Sequence, residues 1–483
     1  MAASMWRTLS CASRHFSLRL FKRNISFSAR RLLLSEAYSC NEAWQKRLES
    51  PVFEKIVFSE FAIQLKDKLE KQKRASVIDM DIFANKLHEM DLSDVEFMED
   101  LIKRFRFTED AVPVQDSIVH AIIRAYINLG LVDRLLAMIK DRVNYGLFPD
   151  YYAVNILLDH FIKQENFAAA ASLAYKMMLQ EDFSHPVTHL LSLYAAVKHL
   201  HVGKVDEKMF EPIPEDKGEE DWIPVKYIRY PHYDDHFDVK DERFLLGKTL
   251  DMLGQHLTSD PVLQNSVRLI GLGLWHKFGK GLFLMEELAK TKKKEIILNE
   301  SLVRFDRCLE NAEVKDPDAP EKELGLQTID DEIYKMRLTP DAREELTTEC
   351  EEMWYKLRWG DQVIETGDGL LKRVESLVKS ELPKLEPADI ADQTAMFDEW
   401  SSRRLELLEE QVKEYIRQQK EAEIEGKLKD LQEKEELLRF FELRDKIDLA
   451  KARAPRERPV KPEEDEETVR AKRIKRRKYR HHI

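Results

Sequence analysis

An internal repeat with a period of 35 residues limits the fold of this 483-residue chain more than any other feature. The shift places apolar residues on apolar residues at six positions: Ile122 on Leu157, Ile123 on Leu158, Tyr126 on Phe161, Ile127 on Ile162, Ile139 on Ala174 and Phe148 on Phe183. Such a period is typical of stacked helix-turn-helix units, in which each pair of helices covers the apolar face of the pair before it. Two copies in 115–186, with a partial third near 187–200, need flanking helices to cap them.

Residues that form turns are scarce in the chain. It has 15 Gly and 17 Pro, whereas sheet proteins need many turns that contain these residues. Charged residues make up 35%, above the roughly 25% that is usual in globular proteins. We therefore predict an all-α fold, with a helix-turn-helix solenoid followed by further helices and a long C-terminal helical segment.

The segment that ends the first copy reads YGLFPD, from Tyr145 to Asp150. Gly146 suits a helix C-terminus because it adopts positive φ at low cost, and Pro149 prevents the helix from continuing. With Asn155 early in the next helix, this layout resembles the pentatricopeptide repeat, which closes with Gly-x-x-Pro-Asp. In members of that class which bind specific sequences, two or three side chains of each repeat read one RNA base.

The positions that would read bases here are His120 with Asp150, and Asn155 with His185. Only the Asn and the Asp are typical of those positions, and two incomplete pairs cannot specify a useful sequence. Asn155 and Asp150 are therefore candidate RNA-binding residues. The structural alternative is that Asn155 caps a helix and Asp150 closes a turn.

Local signals place three helix starts. The run Ser93-Asp-Val-Glu reads as a capping box in which Glu96 reaches back. Asp260-Pro261 combines a cap with a proline in the first turn, and Thr339-Pro340 starts another helical region. The glycines of 271–281 lack the order of a phosphate loop and do not follow a strand, so we expect them to allow close packing of helices.

Residues 393–450 read as one or two long, charged helices. The apolar spacing is heptad-like at Leu405, Leu408, Val412 and Tyr415. It fails at Gln419 and near Gly426, and such an interrupted stripe favours a long helix that lies on several partners over a regular coiled coil. The alternative is a charged helix surrounded by solvent.

The patterns together divide the chain into eight segments. They are a transit peptide (1–34), an N-terminal helical region (35–110), the pentatricopeptide-like repeats (111–205), a Pro-rich loop (206–243), a helical region (244–312), a linker (313–337), C-terminal helices with the long charged helix (338–450), and a charged linker with a basic tail (451–483).

The N-terminal segment has the composition of a mitochondrial transit peptide. Residues 1–34 are rich in Arg and Ser and contain no acid, which predicts import into the mitochondrial matrix. A basic arm that binds RNA is the rival interpretation. No run of about 20 apolar residues occurs anywhere, so we predict no membrane span.

Charge is distributed unevenly along the chain. Fifteen basic residues and no acid lie in 1–34 and 468–483, which leaves 63 basic and 90 acidic residues between them. An acidic body is poorly suited to covering phosphate over a wide area, so we expect protein contacts there and RNA contacts at local patches.

The basic tail is the stronger RNA-binding candidate. Its cations are Arg470, Lys472, Arg473, Lys475, Arg476, Arg477, Lys478 and Arg480. They can neutralise several phosphates, with Tyr479 available to stack on a base. A solvated tail, or one that resembles a nuclear import signal, is the alternative.

No pattern in the sequence indicates an enzyme. The four cysteines are far apart with no CxxC, and neither HExxH nor GxSxG occurs. His232 and His236 lie in the Pro-rich loop without further ligands nearby in sequence. We predict no catalytic residue, no metal, no cofactor and no small-molecule substrate.

Three blocks of residues resemble a known family, that of mitochondrial ribosomal small-subunit protein 27. They are Ala37-Tyr38 with Trp44 and Arg47, the stretch from Tyr145 through Asn155 and Met177-Met178 to Tyr194, and Ala388 to Ala391 followed by Trp400. The Pro-rich segment and the basic tail are not expected in every relative.

This resemblance implies a structural place in the mitochondrial small ribosomal subunit. It also implies contact with the ribosomal RNA of that subunit and with other mitochondrial ribosomal proteins, in support of mitochondrial translation. The alternative is a free mitochondrial pentatricopeptide factor that binds transcripts during their processing or keeps them stable.

Overall fold

The computed structural model describes residues 33–111, 116–203, 205, 241–291, 293–314, 338–365, 367 and 369–453. Its α-helices are α1 (Asn41–Leu48), α2 (Pro51–Glu54), α3 (Phe58–Gln72), α4 (Val77–Lys86), α5 (Val95–Arg106), α6 (Asp116–Leu129), α7 (Val132–Lys140), α8 (Arg142–Tyr145), α9 (Tyr151–Lys163), α10 (Phe167–Leu179), α11 (Pro186–Gly203), α12 (Glu242–His256), α13 (Pro261–Leu274), α14 (Phe278–Lys290), α15 (Asn299–Glu310), α16 (Pro340–Trp359) and α17 (Leu370–Arg453). Short 3-10 helices cover Glu36–Ser39, Leu87–Glu89, Leu92–Asp94 and Glu109–Ala111. The prediction of an all-α fold is confirmed.

Strand structure is a minor part of the described residues. Strands β1 (Ile297–Leu298) and β2 (Val363–Ile364) pair in parallel, with Ile297 opposite Val363. The Gln362 side chain donates from Nε2 to the Leu288 carbonyl at 3.0 Å, which ties the end of α14 to the start of β2.

The sequence repeat corresponds to two pairs of helices. Helices α6 and α9 begin 35 residues apart, and so do α7 and α10. The matched apolar residues Ile122 and Leu157 are both buried. Helix α11 packs against α9, α10 and α12, so it continues the stack where the partial third copy was predicted.

Several predicted helix ends are confirmed. Gly146 terminates α8 with a φ of 62°, and Asp260 Oδ1 accepts hydrogen bonds from the backbone N–H groups of Val262 (3.0 Å) and Leu263 at the start of α13. Thr339 Oγ1 accepts from the Ala342 N–H at 3.3 Å in the first turn of α16.

The predicted capping box at Ser93 is wrong. Residues Leu92–Asp94 form a 3-10 turn, and α5 begins at Val95 with no side-chain cap. Ser93 Oγ instead donates to Asp94 Oδ1 at 3.3 Å. The extra turn puts Ser93 too early in the chain to reach the free N–H groups of α5.

The long charged segment is one helix, α17, which begins well before residue 393. Its first part has a buried side chain at almost every turn: Leu370, Val374, Val378, Leu382, Glu386, Asp389, Gln393 and Phe397. Pro383 and Pro387 lie inside it, and each removes one backbone N–H donor. Packing along this face continues past both prolines.

The chain divides into two units, residues 1–403 and 404–483, with the boundary inside α17. In the first unit, α12 and α13 pack most closely at Gly247 and Gly271. A Cβ atom on Gly271 would lie 2.5 Å from the Asp251 backbone nitrogen, and one on Gly273 would lie 3.0 Å from the Phe305 ring. The expected role in helix packing is therefore confirmed for Gly271 and Gly273, whereas a Cβ atom on Gly279 would have nothing within 4 Å.

The described part of the second unit, 404–453, is the distal half of α17. Its large apolar side chains are mostly exposed: Leu405, Val412, Tyr415, Ile416, Ile424, Leu428, Leu431, Leu437, Leu438, Phe440, Phe441, Leu443 and Leu449. We call these the distal apolar residues. No helix in the described ranges is both long enough and apolar enough to cross a membrane.

Candidate functional site

The fifth residues of α6 and α9, His120 and Asn155, are both fully buried. Two distant parts of the chain cover them, namely residues 34–47 and residues 386–400 of α17. The Leu34 N–H donates to Asp159 Oδ1 at 3.4 Å, and the Ser35 N–H donates to Glu386 Oε1 at 3.2 Å. The N-terminal segment is thereby held between a repeat helix and α17.

Asn155 is bonded to the protein and not to solvent. Its Nδ2 donates to Tyr38 Oη at 2.7 Å, and that hydroxyl donates to Asp389 Oδ2 at 2.8 Å. Gln393 Nε2 donates to the Tyr38 carbonyl at 3.1 Å. Burial, and then the nearby Asp389 carboxylate, raise the pKa of Tyr38 well above its usual value, so the phenol stays protonated as the donor.

Asp150 caps the N-terminus of α9. Its Oδ1 accepts from the Ala153 N–H at 3.3 Å and lies 3.1 Å from Nδ1 of His120. Arg124 Nε donates to His120 Nε2 at 2.8 Å, which assigns the proton of a neutral imidazole to Nδ1. Burial lowers the pKa of His120, in keeping with the neutral form.

Aromatic rings close the space around His120. Trp44, Phe397 and Trp400 have ring centroids 5.3, 5.6 and 5.4 Å from the imidazole. The guanidinium of Arg124 lies 4.7 Å from the Trp44 ring centroid, and burial lowers its pKa to about 10. A cation over an aromatic face is attracted to the ring, so this cluster joins α1, α6 and α17.

His185, the remaining predicted position, also faces protein. Its ring stacks on Tyr151 at 5.1 Å, and its Nε2 lies 3.4 Å from Asp389 Oδ1. The structure thus brings together all four positions that were predicted to read bases, His120, Asp150, Asn155 and His185. In this arrangement the side chains of Asn155 and Asp150 are bonded inside the protein.

The structural alternative for these two residues is half right. Asp150 does stand at a turn, and it is Asp150 that caps α9. Asn155 is not a cap, because it lies inside α9. Its partner Tyr38 lies 117 positions away in sequence.

Several predicted features lie outside the described residues. They are most of the transit segment, most of the Pro-rich loop with His232 and His236, most of the linker, and the basic tail with Arg470, Lys472, Arg473, Lys475, Arg476, Arg477, Lys478 and Arg480. No group of three or more metal-ligating side chains occurs in the part of the chain that the structure describes.

A groove in the repeat region gathers cations that the sequence analysis did not single out. It has a volume of about 520 Å³ and is lined by Leu136, Lys140, Arg142, Ala168, Ala169, Ser172, Tyr175, Lys176, Leu179, Glu242 and Leu245. The three cations come from α7, α8 and α10, so no run of basic residues marks the groove. The repeat gives one indication of the groove, because the 35-residue shift places Lys140 on Tyr175 and both residues line it.

The chain was compared with models of known protein families. The model described as mitochondrial 28S ribosomal protein S27 matches residues 1–430. The match spans the whole of the first unit and part of the distal half of α17, and it ends before the basic tail.

Proposed function

Because the chain belongs to the mitochondrial 28S ribosomal protein S27 family, it is a mitochondrial small-subunit protein, and we propose that it has a structural, non-catalytic role there. It contacts the small-subunit ribosomal RNA and neighbouring ribosomal proteins in the mitochondrial matrix, and it supports mitochondrial translation. Residues 1–34 act as the transit peptide that delivers it.

The observation that carries this proposal is the covered face of the repeats. Free pentatricopeptide factors need accessible side chains at the base-reading positions. Here Asn155 and His120 are fully buried under residues 34–47 and 386–400. A repeat region that is closed by its own chain is better suited to a fixed body within an assembly than to binding varied transcripts.

Protein contacts are supported by the distal apolar residues. Ion pairs within the helix, such as Lys427 with Glu423 and Arg439 with Glu435, occupy its polar surface. Leu428 and Leu431 are more than half exposed on the same helix. Clustered exposed apolar side chains mark interaction sites. With 12 basic and 14 acidic residues in 404–453, this segment suits a protein partner more than a phosphate surface.

RNA contacts are assigned to local basic patches, of which the tail at 470–480 is the most concentrated. Eight cations in 11 residues there release counterions from RNA on binding, and this binding weakens steeply as salt increases. Two further statements are proposals: that the repeats belong to the pentatricopeptide class, and that Asn155 and Asp150 contact RNA directly. Direct contact with RNA needs residues 34–47 to move away.

Sedimentation tests the proposal. Mitochondrial lysate is run on sucrose gradients at about 50 mM and about 300 mM salt, and the protein is detected by immunoblot. We expect migration with the small subunit at both salt concentrations, because protein packing resists salt far better than phosphate contacts do. Migration near the top of the gradient at both concentrations would contradict a ribosomal role and favour a free RNA-binding factor.

A variant lacking 470–483 separates the two kinds of contact. We expect it to migrate with the small subunit at about 50 mM salt and to dissociate partly at about 300 mM. A variant that behaves as the full chain does at both concentrations would show that the tail contributes nothing to retention.

A further inference from the structure

The groove between α7, α8, α10 and α12 is a concentration of positive charge in a chain whose net charge is −12. Lys140, Arg142 and Lys176 all line it. We infer that this groove binds the phosphate backbone of an RNA strand. The inference rests on the proposed function, since it names a second place on the molecule where ribosomal RNA is held.

None of the three cations is neutralised within the described part of the chain. Their side chains make no ion pair or hydrogen bond there, and Arg142 and Lys176 are half-buried while Lys140 is exposed. Burial, followed by the charges of Arg142 and Lys140, lowers the pKa of Lys176 to about 8. Like charges held this close repel one another, and a bound anion relieves the repulsion.

Two carboxylates, one in the lining and one beside it in sequence, are hydrogen-bonded to other residues. Glu242 lines the groove, but its Oε1 lies 2.8 Å from Nε2 of His199. Asp141 stands between two of the cations in sequence, and its Oδ2 accepts from Asn144 Nδ2 at 2.7 Å. Neither carboxylate is among the groups that shift the pKa of Lys176, whose causes are burial, Arg142 and Lys140.

An unsatisfied hydroxyl is the second observation that points to a ligand. Tyr175 lines the groove and is 6% exposed, and its Oη has no hydrogen-bond partner. A buried polar atom of this kind is rare in native proteins and calls for an explanation. A phosphate oxygen that enters the groove supplies the missing acceptor.

The lining also indicates what part of an RNA strand is bound. Beyond the cations, the α10 side of the groove is formed by Ala168, Ala169 and Ser172, and the Ser172 hydroxyl already donates to the Ala169 carbonyl at 2.8 Å. The two alanine side chains offer no donor or acceptor and the Ser172 hydroxyl can only accept, so this side of the groove has little that could distinguish one base from another. Recognition is therefore by charge, which is how proteins contact the backbone.

The test uses the purified full-length chain and a fluorescently labelled single-stranded RNA, with affinity followed by anisotropy over a range of salt concentrations. The variant K140Q/R142Q/K176Q removes the three groove cations. The matched control, K55Q/K71Q/K356Q, removes three exposed lysines from other parts of the surface. Thermal melting checks that both variants are folded.

We expect the groove variant to bind RNA about tenfold more weakly near 100 mM salt, and its plot of log affinity against log salt to be less steep by about 1–2. The control should lose much less. Equal losses in both variants would overturn the inference, because general charge would then explain the binding. Y175F should weaken RNA binding without lowering the melting temperature, and unchanged binding would count against the hydroxyl contact.

Inorganic phosphate separates the two sources of the anion. If phosphate raises the melting temperature of the native chain relative to chloride at equal ionic strength, while the groove variant binds RNA normally, the site takes free phosphate and the RNA assignment is wrong. Co-sedimentation of the native chain with the small subunit is measured independently. Its loss would contradict the proposed function, whereas weakened RNA binding by the groove variant alone bears only on the groove.

Discussion

At the scale of single residues, the buried Tyr38 hydroxyl links three parts of the chain that are far apart in sequence. It accepts from Asn155 and donates to Asp389, and through these bonds it joins the N-terminal segment, α9 and α17. Losing one member of a buried network of this kind is costly, because its partners stay buried.

We predict that Y38F destabilises the first unit by about 2–4 kcal/mol, because it leaves the Asn155 amide and the Asp389 carboxylate buried without their partner. Urea unfolding followed by circular dichroism measures the change. Y355F is the control, since Tyr355 is 73% exposed and should lose almost nothing. Equal stability of the two variants would show that the network adds no net stability.

The pH dependence of stability gives a second test at this scale, at Lys176. Its folded pKa of about 8 lies below the value of about 10.4 for an unfolded lysine. Between these values the unfolded state binds more protons, so stability rises as pH increases from about 8 to about 10.4. Below pH 8 the charged ammonium therefore destabilises the fold.

K176M removes that charge. We predict that it raises stability by about 1 kcal/mol at pH 7, a figure reduced to allow for the partial exposure of the side chain, and that the gain disappears above about pH 10.4. K55M, at an exposed site, should show no such pH dependence. A gain that stays constant across this range would attribute the effect to packing and not to charge. The same variant should bind RNA more weakly if the groove holds phosphate.

Single residues could be assigned from the sequence only where their partners are local. Gly146 and Asp260 act within one turn of their own helix, and their roles were predicted correctly. Asn155 acts on Tyr38, far away in the chain, and no local pattern distinguishes this role from a helix cap. Lys140 and Lys176 come from different helices, so their shared groove was not predicted.

At the scale of elements, the repeat helices were predictable because their apolar residues recur with a fixed period. The long helix was predicted over 393–450, and its actual start at Leu370 was missed for a physical reason. Its buried face includes Glu386, Asp389 and Gln393, which bond to the N-terminal segment, so the face is not an apolar stripe. Pro383 and Pro387 also suggest breaks that the packed helix does not have.

The contact between α12 and α13 allows a direct test of close helix packing. We predict that G271A destabilises the fold by about 1–3 kcal/mol, because its Cβ would lie 2.5 Å from the Asp251 backbone nitrogen, and backbone atoms cannot move aside cheaply. Thermal or urea unfolding measures the loss. G279A is the control, with nothing within 4 Å of its Cβ, and it should be neutral or more stable by up to about 1 kcal/mol. Similar values for the two would indicate that the contact is loose.

At the scale of the whole molecule, the two units are suited to different tasks. The first has its own core, and its repeat face is closed by its own chain. The described part of the second has no buried core and exposes its distal apolar residues. A helix with this surface gains little from folding alone, so its apolar side chains are best explained by a partner within the small subunit.

We predict that I424E/L428E reduces incorporation into the small subunit severalfold, because two carboxylates would be desolvated in the contact. Both residues are more than half exposed, so the isolated chain should keep its melting temperature. The control K429E changes the net charge by the same two units at an exposed position of the same helix. Its neighbours three and four residues away, Glu425, Gly426, Gln432 and Glu433, are not apolar. Sedimentation of each variant, in cells that lack the native chain, measures incorporation. Equal incorporation of both variants would mean that the distal apolar residues are not buried in the assembled subunit, and that the first unit and the basic segments hold the protein in place.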